Sequence, residues 1–187
     1  MLTRHGLLPL AGRKIADIGC GSGNWLLEFI QWGAQAEDLV GIDLNSGRVE
    51  AARSRIPGAV FATGDASALP LAGDSMDLVC QFTAFSSVLD DRMKQTMAAE
   101  MLRVARREGA ILWYDLRVDN PTNPAVRGIR LDEALRLFPG CRIDVERVTL
   151  APPIARAVVP RSWLLASALE QISALCSHYL MLIGTQA

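Results

Sequence analysis

The sequence predicts an α/β fold built on a mostly parallel sheet. Three observations carry that prediction. Lys14-Ile15-Ala16-Asp17-Ile18 reads as a short apolar strand that enters the turn Gly19-Cys20-Gly21-Ser22-Gly23, and a helical pattern opens at Asn24. A second short apolar run, Leu39-Val40-Gly41-Ile42-Asp43, ends in an acid. A third, from Met76 to Phe82, is apolar almost throughout, which suits a strand covered on both faces.

Size and composition bound the function. The 187 residues suit one domain with a sizeable core. Half are hydrophobic, 21% are charged and the net charge is −1, so a polyanion-binding surface is not expected. No apolar run is long enough for a membrane span, and the first residues are too short in their apolar part for a signal peptide. Cys20, Cys80, Cys141 and Cys176 are scattered, with no C-x-x-C pair. A zinc site or disulfide framework is therefore not expected, and a reducing cytoplasm is the expected location.

Strand, glycine turn and helix together bring a ligand against bare backbone N–H groups at a helix N-terminus. Spacing decides which ligand. The glycines fall at 19, 21 and 23, and Asn24 holds the third place of a G-x-G-x-x-G dinucleotide fingerprint. No G-K-[ST] follows, so a phosphate loop is not expected either. Asp43, at the tip of the second strand, has the geometry to accept both hydroxyls of a ribose and to reject a 2′-phosphate. The alternative is that it caps the helix starting near Asn45. Cys20, small and set between glycines, reads as packing.

At this point the chain resembles the class I S-adenosylmethionine-dependent methyltransferases. The resemblance rests on Ala16 to Gly23, Gly41-Ile42-Asp43, Gly64-Asp65-Ala66 with Leu69-Pro70, and Asp74 to Val79. It continues through Glu100 to Val104 and Gly109 to Leu112, covering about residues 14–183. It is similar in particular to bacterial small-molecule types such as the ubiquinone and menaquinone methyltransferases. The resemblance implies a three-layer αβα sandwich with a seven-stranded, mostly parallel sheet in the order 3-2-1-4-5-7-6, strand 7 antiparallel. It implies S-adenosyl-L-methionine as cofactor and S-adenosyl-L-homocysteine as product. It places the cofactor on Asp17, Gly19, Cys20, Gly21, Asn24, Trp25, Asp43, Leu44, Asp65, Ala66, Gln81 and Phe82. Asp65 is expected to accept from the adenine amino group, against a plain turn aspartate.

The elements follow in order. Residues 1–13 are a short lead, leaving little room for the longer N-terminal segment that helps cover the site in many such proteins; the expectation is a domain spanning 1–187 that lacks such a lid. After the first strand, the helix from Asn24 to about Gln31 buries Leu26, Leu27, Phe29 and Ile30 and stops at Gly33. Trp25 either packs in the core or covers the methionine moiety. The second helix spans about Asn45–Ile56, closed by Pro57-Gly58. The third strand is about Ala59–Thr63 and the fourth Met76–Phe82. Its end, Gln81 to Ser87, should line the space between cofactor and acceptor. Phe82 and Phe85 pack there on a ligand or in the core. A long helix, capped by Asp90 or Asp91, runs to about Arg107, its Met93, Met97 and Met101 stripe reading as core. Arg103, Arg106 and Arg107 then suit the helix dipole. Glu108-Gly109 turns into a strand over Ala110–Leu116.

The polar stretch Asp115 to Pro124 is where acceptor specificity is expected. Leu131–Phe138 is a short helix. Ile143, Val145, Val148 and Leu150 form a strand whose alternation slips at Glu146-Arg147, as a bulge would cause. Ser162–Cys176 is helical in pattern, and His178–Ile183 is the final strand.

Methyl transfer needs alignment and exclusion of water more than it needs a fixed catalytic pair. Candidate bases or orienters are Tyr114, Asp115 and His178; Asp115 is equally readable as a turn aspartate. No metal is implied. The expected partner is a small-molecule acceptor, with no nucleic acid and no membrane. Two other classes stay open: a nicotinamide-dependent oxidoreductase, against which Asn24 and Asp65 count, and a binding module that has kept the fold without transfer.

Overall fold

The structure, a computed structural model, describes residues 1–119 and 123–185. Asn120-Pro121-Thr122, within the stretch expected to set acceptor specificity, lie outside the described residues. Among the described residues seven strands form one sheet in the order β3-β2-β1-β4-β5-β7-β6. They are β1 (Ile15–Ile18), β2 (Leu39–Asp43), β3 (Val60–Thr63), β4 (Met76–Phe82), β5 (Ala105–Leu116), β6 (Arg142–Leu150) and β7 (Cys176–Gly184). β1 to β5 pair in parallel, and β7 runs antiparallel to both β5 and β6. The order and the single reversed strand are those the resemblance implied.

Helices cover both faces. On one, α1 (Asn24–Gln31) buries Leu26 and Phe29, and α2 (Ser46–Arg55) buries Val49 and Ala52. On the other, α3 (Asp91–Val104) and α4 (Leu131–Leu137) pack on Val79, Ile111, Trp113 and Met181. Caps set the starts. Asn45 accepts from the Arg48 N–H at 3.0 Å, and Asp90 accepts from the Met93 N–H at 3.0 Å. Asp43 is therefore not the cap of α2. No described helix is long and apolar enough to cross a membrane.

Three expectations need correction. The long helix ends at Val104, and β5 begins at once with Ala105, which pairs with Met76. Glu108-Gly109 is not a turn into the strand but lies within it, at a register shift opposite Met76 and Leu78. Arg106 and Arg107 thus sit on a strand. Arg106 pairs with Asp77, and Arg103 holds Glu100 and the Leu69 and Leu71 carbonyls.

β6 has no bulge at Glu146-Arg147: its register runs without shift from Arg142 opposite Gly184 to Leu150 opposite Cys176. The alternation slips for another reason. Ile143 and Val145 pack towards α4, whereas Val148 and Leu150 lie on the opposite face. The strand buries one face in its first half and the other in its second. Beyond β6, Pro152-Pro153 open a short helix, α5 (Pro152–Val158), ahead of α6 (Trp163–Glu170).

The lead is docked on the sheet. Leu7 and Leu10 are buried in the α1-side core, Arg4 pairs with Glu146, and His5 Nε2 lies 2.8 Å from Asp144.

Candidate functional site

The glycine turn joins β1 to α1 by bending back onto β2. The Gly19 and Cys20 N–H groups both donate to the Ile42 carbonyl, at 2.7 and 3.0 Å, and the Gly21 N–H donates to Asp43 at 2.8 Å. These amides are not the bare cradle that the strand–turn–helix pattern suggested. With no phosphate to hold, the turn satisfies its donors within the protein, as buried amides require. Glycine is needed at 19 because φ is +77° and a Cβ there would stand 2.9 Å from that of Ala84.

Asp17 is the anomaly of the site. It lies at the centre of β1, 1% exposed, and both carboxylate oxygens lack a partner. Burial first, and the charge of Asp43 second, push its pKa up to about 7. A buried carboxylate without a donor is costly, and a cationic ligand group would satisfy it. Cys20 is no reactive thiol: burial, with the charges of Asp17 and Asp43, pushes it up to about 12. Its sulfur packs against the Gly41 and Phe61 side of the turn.

Beside the turn lies a cleft of about 310 Å³. Gly19, Asp43, Leu44, Asp65, Ala66 and Phe82 line it. Asp43 uses one oxygen for the Gly21 N–H and the other for the Asn45 N–H, at 2.8 and 2.9 Å. Each oxygen keeps a lone pair for a diol. Leu44 is 76% exposed at the rim, an apolar side chain without a protein partner to cover it. Asp65 holds a turn through Ser67 N–H at 2.8 Å, which leaves its second oxygen unused by that bond. Thr83 and Ser87, within the stretch expected to line this space, also face the cleft, whereas Arg48, Met93 and Met97 line it and were not expected there. The methionines were hidden because helical spacing does not separate a core stripe from a cleft wall.

Three expected ligands are otherwise engaged. Gln81 is fully buried; its Nε2 donates to the Tyr114 carbonyl at 3.3 Å and its Oε1 accepts from the Ala84 N–H at 2.9 Å. It shapes the turn after β4. Asn24 Oδ1 accepts from Arg55 at 2.7 Å and faces α2. Trp25 stacks on Phe82, with centroids 4.1 Å apart and planes 13° from parallel.

The three candidate bases part company. Asp115 is 1% exposed and accepts from the N–H groups of Ser86 and Leu116, at 3.2 and 2.8 Å. Burial pushes its carboxyl up. It pins the turn after β4 to β5 and lines neither cavity described here. Tyr114 points to the opposite face, as alternation requires. Its hydroxyl is 2.8 Å from that of Thr149, and His178 lies flat on its ring at 4.6 Å. Burial pushes His178 down, and Ser177 Oγ is 2.9 Å from its Nδ1.

A second cavity opens on the α1 face of β4, β5, β7 and β6. It measures about 600 Å³. Its walls are Trp25, Phe29, Trp32, Phe82, Leu112, Tyr114, Val148 and Leu180, and the lead closes it with Met1, Leu2, Thr3 and Leu8. The sequence carried little signal for this chamber, because its walls come from five separated segments.

Known proteins were compared with this fold and these sites. The family model described as "Methyltransferase domain" matches residues 15–109. The demethylmenaquinone methyltransferase of Roseiflexus castenholzii is 34% identical over 162 residues, covering 81% of this chain and 63% of that protein. A phthiotriol/phenolphthiotriol dimycocerosates methyltransferase of Mycobacterium ulcerans is 30% identical, covering 60% of this chain and 41% of that protein. The chain thus spans less than two thirds of the length of these relatives. Among solved structures, a methyltransferase of Methanosarcina mazei dependent on S-adenosylmethionine superposes with a TM-score of 0.71 at 18% identity, covering 100% of this chain and 99% of that one. That likeness speaks to the fold alone. Sheet order, glycine turn and family match together place the chain in the class I S-adenosylmethionine-dependent methyltransferases, with S-adenosylmethionine as cofactor.

Proposed function

We propose that the chain transfers the cofactor's methyl group to a small-molecule acceptor, and that the cleft beside the glycine turn holds the cofactor. Asp17 carries this reading. Its two unpartnered, buried oxygens fit the ammonium of the cofactor's methionine part, the one strong cation donor such a ligand presents there. Asp43 takes the ribose hydroxyls, Asp65 accepts from the adenine amino group, and Leu44 covers the adenine. Gly19 and Ala66, which line the cleft, admit the ligand by their small size, and Phe82 lies along it. Gln81 and Asn24 act indirectly, by holding the turn after β4 and the start of α1.

When bound, the cofactor would supply a methyl group activated by a positively charged sulfur for in-line displacement by an acceptor nucleophile, whose proton would pass to solvent. The protein aligns the partners and keeps water out. Tyr114 is the better-placed of the three candidates to orient an acceptor, because it alone lines a cavity. The small-molecule reading is supported by the acceptors named for the two relatives and by a net charge of −1.

Calorimetric titration with S-adenosylhomocysteine tests the site. Saturable binding, abolished by Asp17→Asn, supports it. Absence of binding by the unmodified chain would sink it. Binding without transfer to any acceptor in a broad panel would instead favour a binding module.

A further inference from the structure

We propose that the turn between α5 and α6 is a docking surface for an anionic lipid bilayer, seated at the headgroup level without crossing it. The proposal starts from an apolar segment that the protein scarcely buries. Residues 151–175 leave the sheet after β6 and rejoin it at β7. α5 buries none of its residues, and α6 buries only Ala166. Trp163-Leu164-Leu165-Ala166-Ser167-Ala168-Leu169 has no charged face at all, and a helix apolar around its circumference is ordinarily enclosed by protein. Here the large side chains point outward: Leu164 is 75% exposed, Trp163 70% and Leu165 51%. Val159, just before the turn, and Ile172, just after α6, are exposed as well. A contiguous apolar surface of this kind marks a contact with a partner.

Charge selects the partner. No Asp or Glu occurs from Ala151 to Leu169, whereas Arg156 and Arg161, both exposed, flank the apolar turn. Arg161 donates to the Ala157 carbonyl, which keeps its guanidinium beside the end of α5. A second copy of the chain docked face to face would set these arginines against their own counterparts, with no acid in the segment to neutralise them. A bilayer with anionic headgroups takes every part of the surface. The leucines and Val159 enter the acyl boundary, the Trp163 indole sits where one side is apolar and the other wet, and the guanidinium groups reach the phosphates. The expectation of no membrane partner rests on the lack of a spanning run and on bulk charge, and neither bears on a local surface contact. The net charge of −1 does not oppose it, because the attraction acts within a Debye length, about 10 Å. The segment stands at the carboxyl edge of the parallel strands, so docking turns that edge towards the lipid. None of this depends on the methyl-transfer reading.

Co-sedimentation of the full chain with lipid vesicles tests the assignment. Vesicles of phosphatidylcholine with about 30% phosphatidylglycerol should bind at least about tenfold more tightly than phosphatidylcholine alone. Raising the salt from about 0.1 M to about 0.5 M should weaken that binding several-fold, to about the level of the neutral vesicles. Leu164→Glu should weaken binding to the anionic vesicles at least about tenfold, and Arg156→Gln about fivefold. Both side chains are exposed, so thermal melts of the variants should coincide with that of the unmodified chain. Should Leu164→Glu fail to fold, Trp163→Ala replaces it with the same expectation. No binding to the anionic vesicles overturns the proposal, and so does equal binding by the unmodified chain and a folded Leu164→Glu variant. Equal binding to the two kinds of vesicle overturns the anionic lipid as partner. A dimer in sedimentation velocity that Leu164→Glu dissolves, from a chain that ignores vesicles, gives the surface to a second copy and overturns the proposal too.

Discussion

The cleft beside the glycine turn and the chamber meet at Phe82, yet they are held in opposite ways. The cleft is built from short-range devices: a glycine turn bonded to β2, a strand-tip aspartate with both oxygens engaged, and a buried carboxylate left unpaired. The chamber has almost no directional bonds; side chains from the lead, α1, β4, β5, β6 and β7 enclose it by shape. The difference teaches where specificity is stored. A polar site is specified by single residues and fails when one is changed. An apolar site is specified by volume and changes gradually.

The largest effect that would break this contrast is at Asp17. Asp17→Asn should lower S-adenosylhomocysteine affinity by about 100-fold or more, since a buried charged partner is lost. The same change should raise the stability of the free chain. The sign follows from the raised pKa: the folded state keeps the proton up to about 7, whereas the unfolded state releases it near 3.8. Stability therefore falls as pH rises between those values and is level above. Asparagine should recover on the order of 4 kcal/mol at pH 8 if the whole shift is expressed in folding. Thermal melts at pH 5 and pH 8 would show it. A variant that is destabilised at pH 8 would contradict the unpaired-carboxylate account.

The pH dependence of binding sharpens the same point. Pairing with a ligand ammonium requires ionised Asp17. Affinity of the unmodified chain for S-adenosylhomocysteine should fall about tenfold per pH unit below about 7. A flat titration curve from pH 5.5 to 7 would show that the ligand ammonium lies elsewhere.

Next in size is Asp43→Ala, which removes the acceptor of the Gly21 and Asn45 amides as well as the proposed ribose partner. Affinity should fall about 30-fold to 100-fold, and stability by about 1–3 kcal/mol, read by titration and by urea melts. Trp25→Ala should divide the two cavities: it removes a wall of the chamber and its stack on Phe82, and it weakens S-adenosylhomocysteine by no more than about threefold. A larger loss would return Trp25 to the cofactor. Smallest is Tyr114→Phe, which leaves the ring stack on His178 and removes one hydroxyl. It should cost about 1 kcal/mol of stability and act on acceptor binding while leaving the cofactor untouched.

Legibility in the sequence follows the same division. β2 and β4 were readable to the residue, because an apolar run bounded by turn residues is a local signal. Asp43 was readable at its strand's tip because an apolar run ends there, whereas Asp65, two residues past the end of β3, was picked out only by the resemblance. Gln81 was readable as a position but not as a role, since its two hydrogen bonds reach Tyr114 and Ala84, contacts that only the folded sheet creates. The abrupt passage from α3 to β5 was missed because Ala105-Arg106-Arg107 has no strand pattern of its own; pairing with Met76 decides it. The use of both faces by β6 could not be separated from a bulge, since each produces the same slip in alternation. The chamber was illegible because it belongs to no segment.

One feature of the sheet bears on how such a protein can diversify. Leu150 ends β6 opposite Cys176, which begins β7, so residues 151–175 leave and rejoin the sheet at neighbouring points. Because β7 is reversed, that excursion stands at the carboxyl edge, the same edge as the ends of β1 and β4. Glu170 anchors it by accepting from the Leu150 N–H at 3.3 Å. An excursion with adjoining ends can be lengthened, shortened or exchanged with little effect on the strands it connects. The protein thus carries a segment whose length and sequence can vary at the same sheet edge as the glycine turn, set apart from the strands that fix that turn in place.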